Sequence, residues 1–291
     1  MANSSHNISP KRVLRGETAW QEGKYLIKKI CKKPILIGKS QATENIRRDL
    51  YDDMMDIGIE ATQLKVKNGC CEDDLERCSY LAKQNSSDGV IAAGGGKVLD
   101  LGKLLAERLG LPCITIPLSA ATCAGWTALA NIYSPEGKFI DDISLVNCPE
   151  LLIFDHKIIK QAPPRTLASG IADALAKWHE ASLTSSSSKD GLVQQAVQMA
   201  RVLRDQLLID GHSSLQNPQS DSWERVAEAC ALTAGLIGGI GGSKCRTAAA
   251  HAIHNGLTQL SFKKEALHGE IVGFGILVQL RLEEIMIGSQ L

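Results

Sequence analysis

Four residues in the second half of the chain have side chains that could bind a metal ion. Asp173 lies in a stretch of small apolar residues, where a carboxylate without a partner is costly to bury. His251, His254 and His268 follow in segments rich in alanine and glycine. Two histidines and one carboxylate suit zinc or ferrous iron and leave coordination positions for water or substrate. A hydrogen-bonded histidine in the core is the alternative interpretation of each, and the residue types alone leave both open.

The spacing of two of these histidines separates them from a familiar zinc motif. His251 and His254 stand at i,i+3 and would share one face of a helix. The metalloprotease motif has its histidines at i,i+4 with a glutamate after the first. The spacing therefore excludes that motif.

A glycine run in the first half could bind a phosphate. Gly94, Gly95 and Gly96 follow the apolar run 89–93 and precede a helical pattern. Glycines let the backbone approach a phosphate, and a helix N-terminus supplies N–H groups and partial positive charge. We interpret this loop as the pyrophosphate site of a dinucleotide, with a simple tight turn as the alternative. Lys97 does not make it a P-loop, because the required Gly-Lys-Ser/Thr after a four-residue spacer is missing.

The elements that would position these residues change in character along the chain. Strands are predicted at 34–38, 89–93, 113–117 and 151–154, with an apolar stretch near 64–66 and helices at 41–55, 72–84 and 98–109. This alternation predicts a parallel sheet with helices on both faces. After Pro163-Pro164 helices dominate, at 165 onward, 192–208, 222–236, 247–258 and 269–285, with a polar loop at 185–190. The predicted fold is α/β, with a Rossmann-like domain at 1–160 and an all-helical metal-binding domain at 161–291.

Composition limits the possible partners and the compartment. Lysine plus arginine and aspartate plus glutamate number 32 each, which gives no electrostatic case for nucleic acid or an anionic membrane. Residues 1–15 lack the apolar core of a secretory signal, and the longest apolar run, 232–240, is too short to span a bilayer. The nine cysteines show no disulfide or zinc spacing. We expect a cytoplasmic protein with reduced thiols, acting on a small molecule.

Several motifs, in a fixed order over nearly the whole chain, resemble the iron-containing alcohol dehydrogenase superfamily, and within it the glycerol dehydrogenase-like branch. They are Gly94–Lys97 with Asp100 and Lys103, Ile116-Pro117 with Ala120–Thr122, Ala162–Arg165, Gly170–Ala174, His251–Gly256 and His268–Glu270. The resemblance implies hydride transfer between NAD or NADP and an alcohol or carbonyl substrate, in a cleft between the two domains. A homo-oligomer is expected.

The resemblance also assigns roles to individual residues. Asp173, His251 and His268 match the ligands of one divalent ion, zinc or iron, and His254 matches a histidine near the substrate that supports a ligand or relays a proton. The residues predicted to bind the cofactor are Lys39, Gly94, Gly95, Gly96, Lys97, Asp100, Thr122, Thr127, Leu129 and Tyr133.

Two departures from glycerol dehydrogenases concern specificity. Cys123 replaces an aspartate that contacts the polyol, which favours 2-oxo or 2-hydroxy carboxylic acids, with glycerol or another polyol as the alternative. Lys39 replaces an acidic residue at the end of an early strand, which favours NADPH, and Ser40, Arg47 and Arg48 could extend a phosphate-binding rim. A solvated surface lysine is the competing interpretation of Lys39.

Other members of the superfamily and a shorter helical domain are the remaining alternatives. Dehydroquinate synthases use a glutamate as first ligand and a basic cleft, so Asp173 and the neutral stretch around Cys123 argue against that class. Glycerol-1-phosphate dehydrogenase would require a phosphate-binding cluster. The family continues with further helices, whereas this chain ends at Leu291, so the helical domain is expected to be shortened. Three interpretations are compatible with a chain that ends at Leu291. It could be a fragment, a naturally short enzyme, or a non-catalytic homologue that binds cofactor or partners.

Overall fold

The computed structural model describes residues 6–185, 187–245, 248–260 and 266–288. Within these residues the chain forms two compact units. The first, called the sheet unit, comprises Asn7–Ser119 and Cys123–Ala162. The second, called the helical unit, contains Ala120–Thr122 and the described residues from Pro163 onward.

The sheet unit is built on a six-stranded parallel sheet. Its strands are β1 (Arg12–Gly16), β2 (Pro34–Gly38), β3 (Thr62–Lys65), β4 (Gly89–Gly94) and β5 (Cys113–Pro117), with β8 (Leu151–Asp155) the last in sequence. They lie in the order β1-β8-β5-β4-β2-β3, and every pairing is parallel. A separate antiparallel pair is formed by β6 (Leu129–Tyr133) and β7 (Phe139–Ser144).

Burial explains why the central strands are so apolar. Every residue of β2, β4, β5 and β8 is buried, as expected for parallel strands covered on both faces. The edge strand β3 instead alternates between partly buried and exposed residues. The predicted parallel sheet is confirmed, whereas β1 and the β6–β7 pair were not predicted.

Helices cover both faces of this sheet. They are α1 (Ala19–Ile30), α2 (Glu44–Asp56, after a 3-10 turn at Gln41–Thr43), α3 (Glu72–Gln84), α4 (Gly96–Leu109) and the short α5 (His156–Ile159). On β2, Ile35 and Ile37 belong to a core with residues of α3 and α4, while Leu36 belongs to a second core with residues of α1 and α2. Alternate side chains of one strand thus face two different helix layers.

All of the described elements from Pro163 onward are helical. They are α6 (Pro164–Ser185), α7 (Gly191–Gln216), α8 (Asp221–Glu228), α9 (Ala234–Gly241), α10 (Ala249–Leu257) and α11 (His268–Gly288). The helix predicted over 222–236 is interrupted by a π-helical turn at Ala229–Thr233. The predicted helix start at Thr247, Ser186 of the predicted polar loop and the chain end at Leu291 lie outside the described residues.

Two general expectations can be compared with the structure. No helix within the described residues is both long enough and apolar enough to cross a membrane. The nine cysteines are free thiols, and seven of them are buried. Burial raises the pKa of Cys31 to about 12, so this thiol stays protonated at neutral pH.

Candidate metal centre and cofactor loop

Three helices of the helical unit bring the predicted ligands together. Asp173 lies on α6, His251 on α10, and His268 is the first residue of α11. Asp173 Oδ1 lies 3.4 Å from His251 Nε2 and 3.2 Å from His268 Nε2, and one ligand atom from each residue falls within 4.8 Å of the others. Ligands at about 2 Å around one tetrahedral ion would be about 3.3 Å apart. The two distances to Asp173 Oδ1 therefore match the spacing of ligands around a single metal ion.

The surroundings of Asp173 give a second test of that fit. Its Oδ1 is buried and has no hydrogen-bond partner among the described residues. Burial alone would raise the pKa of Asp173, but the neighbouring His251 and His268 hold it well below its usual value, so the carboxylate is ionised. A buried, ionised oxygen without a donor is costly, and a bound cation at this point would remove the cost.

A second carboxylate, which the sequence analysis missed, contacts His251 from the other side. Glu180 Oε2 lies 2.6 Å from His251 Nδ1, and Glu180 is completely buried. An ionised carboxylate only accepts hydrogen bonds, so Nδ1 donates to it. Burial lowers the pKa of His251, but the adjacent carboxylate of Asp173 and the hydrogen bond to Glu180 outweigh this effect and raise the pKa to about 9. Two carboxylates thus attract positive charge to this position, and a metal ion would compete with that proton.

His254 contacts the other ligand histidine. Its Nε2 lies 2.9 Å from His268 Nδ1, and its Nδ1 lies 2.9 Å from Asn255 Oδ1. Because the amide oxygen accepts, His254 carries its proton on Nδ1 and accepts from His268 Nδ1–H, which leaves His268 Nε2 facing Asp173. Burial, followed by the nearby His268, lowers the pKa of His254 to about 4, so it is neutral. These contacts are those of a residue that orients the ligand His268. Proton transfer by His254 stays a prediction.

Glycines bring the three ligand helices into backbone contact. A Cβ on Gly269, next to His268, would lie 1.8 Å from the carbonyl oxygen of Ser169 on α6. A Cβ on Gly275 would lie 2.4 Å from the carbonyl oxygen of Ala250 on α10. Small residues at both points therefore let α11 approach α6 and α10 closely enough for the ligand side chains to meet.

The predicted cofactor loop joins β4 to α4 in the sheet unit. Gly95 precedes α4 without giving it a side-chain cap, and no described atom beyond its two chain neighbours lies within 4 Å of the point where its Cβ would be. Gly94 differs, because a Cβ there would lie 2.8 Å from Val98 Cβ. The helix start is thus open at Gly95, as a phosphate site at a helix N-terminus requires.

Other predicted cofactor residues are linked to α4 by a buried ion pair. Lys103 Nζ lies 3.0 Å from Asp100 Oδ1 and donates to the carbonyl oxygens of Thr127 (3.0 Å) and Leu129. Asp100 accepts from the backbone N–H of Asn131 at 3.3 Å. Asp100 is therefore used to hold residues 127–131 against α4, and direct contact between Asp100 and a cofactor stays a prediction.

The remaining predicted residues lie in both units. In the sheet unit, Lys97 Nζ lies 4.3 Å from the ring centroid of Tyr133. These two residues, both predicted to bind the cofactor, are therefore in contact. Cys123 also belongs to this unit, is half-buried, and accepts from the backbone N–H of Trp126 at 3.0 Å. Thr122 belongs to the helical unit.

The end of β2 corrects one part of the predicted phosphate rim. Arg47 is buried and donates to Ser40 O at 2.8 Å and to Thr43 Oγ1 at 2.5 Å. Its guanidinium would overlap a Cβ on Gly38, so Arg47 fastens this turn and is not available to a phosphate. Lys39 is half-buried and donates to Asn68 O at 2.7 Å. Of Lys39 and Arg47, Lys39 is therefore the side chain at the end of β2 that could contact a phosphate.

Comparison with known proteins defines the family. The family model for iron-containing alcohol dehydrogenases matches residues 10–156. The chain is 46% identical over 284 residues to an uncharacterised oxidoreductase of Synechocystis sp., covering 98% of this chain and 73% of that protein. It is 37% identical over 227 residues to hydroxycarboxylate dehydrogenase A of Escherichia coli, covering 75% of this chain and 60% of that protein.

A solved structure agrees with this result. A probable glycerol dehydrogenase from Sinorhizobium meliloti is similar with a TM-score of 0.82 and 28% identity, covering 95% of this chain and 77% of that one. The chain belongs to the iron-containing alcohol dehydrogenase family, in its glycerol dehydrogenase-like branch, and is an oxidoreductase of that type. The family implies a divalent metal and NAD or NADP.

Proposed function

We propose that this chain is a metal-dependent dehydrogenase that transfers hydride between NADP or NAD and a 2-hydroxy or 2-oxo carboxylic acid. The observation that carries the metal-dependent part is the convergence of Asp173, His251 and His268 on one point. The unpartnered, buried Asp173 Oδ1 supports it, because this oxygen needs a cation.

The protein residues prepare this centre for charge on the substrate oxygen. When bound, the divalent ion supplies Lewis acidity that stabilises an alkoxide. Asp173, His251 and His268 would hold the ion, and Asp173 would contribute the one negative charge of this ligand set. Glu180 and His254 hold both ligand rings with Nε2 toward Asp173.

The proposed cofactor site is the start of α4. Gly94, Gly95 and Gly96 would take the pyrophosphate against the open helix N-terminus. Lys39 follows β2 and would favour the additional 2′-phosphate of NADP, as a cation in place of a repelling carboxylate. Since Arg47 is used within its own turn, the preference should be modest.

The proposed substrate class is supported by Cys123 and by one relative. A neutral side chain at this position removes the carboxylate that an anionic acid would meet, and hydroxycarboxylate dehydrogenase A is 37% identical to this chain. A polyol is the second candidate, favoured by the similarity to a probable glycerol dehydrogenase.

Steady-state rates on matched panels test this assignment. We would measure kcat/KM for 2-oxo acids with NADPH and NADH, and for 2-hydroxy acids, polyols and glycolaldehyde with the matching oxidised or reduced cofactor. The zinc- or iron-loaded protein is used, and His251→Ala serves as the control without a complete ligand set. Higher kcat/KM for the acids supports the proposal. Higher kcat/KM for glycerol would instead assign a polyol as the substrate class. Turnover by His251→Ala at the wild-type rate would refute the metal centre.

A further inference from the structure

We propose that Glu180 is a positioning residue that selects the metal-binding tautomer of His251 and, with the same carboxylate, fastens the start of α10. The inference rests on the proposed metal centre and adds to it a residue that does not itself touch the ion. Glu180 lies on α6 two helical turns after Asp173, so both carboxylates project from one face of this helix.

The first turn of α10 depends on side chains from other helices. The residue before it, Ala248, has no side chain that could cap the helix. Glu180 Oε1 instead accepts from the backbone N–H groups of Ala248 at 2.8 Å and His251 at 2.9 Å. Gln279 Oε1, on α11, accepts from the N–H of Ala250 at 3.2 Å. These acceptors satisfy N–H groups that a helix start leaves without intrahelical partners.

The second oxygen of Glu180 acts on the ring. Oε2 accepts from His251 Nδ1 at 2.6 Å, so the carboxylate holds both the backbone and the imidazole of one residue. With the proton kept on Nδ1, the Nε2 lone pair points toward Asp173 Oδ1, 3.4 Å away. A neutral ring with its proton on Nε2 would present N–H where the metal must bind. A hydrogen bond from a ligand histidine to a carboxylate is a general means of fixing ring orientation and tautomer.

Substituting Glu180→Gln separates the two roles. The amide oxygen of Gln can still accept from both backbone N–H groups, but its NH₂ group then faces His251 Nδ1. That NH₂ is a donor, so Nδ1 must accept and the ring proton moves to Nε2. The variant therefore keeps the helix start while favouring the tautomer that blocks metal binding.

A matched control should weaken the helix packing and leave the His251 tautomer unchanged. Gln279→Leu removes the acceptor for Ala250 N–H and the hydrogen bond from Gln279 Nε2 to His179 O, 2.9 Å, while leaving the Glu180–His251 contact in place. Loss of these buried hydrogen bonds should destabilise the helix packing. It should leave the His251 tautomer unchanged.

Three measurements test the assignment on the full chain. Zn²⁺ dissociation constants come from competition with a chromogenic chelator, and thermal unfolding of the metal-free proteins reports the packing. Two-bond ¹H–¹⁵N correlations, recorded on the metal-free proteins above the His251 pKa of about 9 where its ring is neutral, report which nitrogen carries the proton. We expect Glu180→Gln to bind Zn²⁺ about 10- to 100-fold more weakly. Its metal-free melting temperature should stay within about 3 °C of wild type, with the proton on Nε2. Gln279→Leu should melt roughly 4–8 °C lower and change Zn²⁺ affinity less than about threefold.

The outcomes distinguish this inference from the proposed function. If the wild-type protein binds Zn²⁺ and Glu180→Gln binds it equally well, the role of Glu180 is wrong while the metal centre stands. The role is also wrong if the proton of His251 stays on Nδ1 in Glu180→Gln. If the wild-type protein binds neither Zn²⁺ nor Fe²⁺, the metal centre fails and the inference fails with it.

Discussion

The backbone of α11 touches that of α6 where Gly269 meets Ser169. The N–H of Gly269 donates to Ser169 Oγ at 3.0 Å, and a Cβ on Gly269 would lie 1.8 Å from the carbonyl oxygen of Ser169. Ser169 stands one helical turn before Asp173, and Gly269 directly follows His268. This contact therefore sets the separation between two of the three proposed ligands.

We expect Gly269→Ala to push α11 away from α6, because the new methyl group would overlap backbone atoms that cannot move aside. The free energy of unfolding should fall by about 1–3 kcal/mol, and Zn²⁺ affinity should fall with it. Chemical denaturation and chelator competition measure the two effects. Gly256→Ala on α10 is the control, since no described atom outside the adjacent backbone of its own helix lies within 4 Å of its Cβ position and alanine favours a helix. Equal stability of the two variants would show that the Gly269 contact is not tight.

The cofactor loop gives the second prediction. Gly95→Val should leave the free energy of unfolding almost unchanged, because the backbone of Gly95 is extended and the space around its Cβ position is open. If the pyrophosphate occupies that space, the valine should raise the cofactor dissociation constant by about tenfold or more. Nicotinamide fluorescence titration measures it. Gly191→Val, at an equally open position in the helical unit, should not change cofactor binding. Undiminished cofactor affinity in Gly95→Val would show that the pyrophosphate does not bind at this loop.

The confirmed parts of the fold are those with strong local patterns. The four apolar runs that form β2, β4, β5 and β8 are buried on both faces, and α3 coincides with the predicted 72–84. The strand β1 was missed because it is an edge strand with exposed arginines and only partly buried apolar residues. The signal for α1 was present in the spacing of Ala19, Gly23 and Ile27, which are buried on one helix face.

The site shows a different limit of sequence reasoning. Residue types and family order were enough to select Asp173, His251 and His268, which the structure brings together. Glu180 was missed because its partners are 68 and 71 residues away, and no local pattern encodes such a pairing. A usable signal existed, since a second carboxylate two turns after Asp173 in an apolar helix also needs partners. Arg47 was misjudged because charge alone does not show that a side chain is folded back onto its own turn.

Cys123 should determine substrate charge preference. In Cys123→Asp, the new carboxylate would repel an anionic acid and could accept hydrogen bonds from a polyol. We expect the ratio of kcat/KM for 2-oxo acids to that for glycerol to fall by about tenfold or more. Cys123→Ser is the matched control of similar size and should keep the wild-type ratio. Rapid alkylation of Cys123 with loss of all turnover, together with an inactive Cys123→Ser, would instead identify a nucleophile.

The basis for cofactor preference is the cation at the end of β2. One N–H of the Lys39 ammonium donates to Asn68 O, and an ammonium has two more donors for a phosphate. The contact is half-exposed, so an attraction of about 1 kcal/mol, or roughly fivefold, is expected at low salt. Added salt should reduce it by screening.

We therefore predict that the wild-type protein uses NADPH about fivefold better than NADH at low ionic strength, and that Lys39→Asp reverses this order. The reversal follows because a carboxylate at this position repels the 2′-phosphate and accepts hydrogen bonds from the ribose hydroxyls. Values of kcat/KM for both cofactors, measured at two salt concentrations, give the preference and its screening. Lys33→Asp makes the same change of charge at the opposite end of β2, where Lys33 pairs with Glu60, and should leave the preference unchanged. Equal efficiency with both cofactors at low salt, unaltered in Lys39→Asp, would show that Lys39 is a surface lysine without a role in cofactor selection.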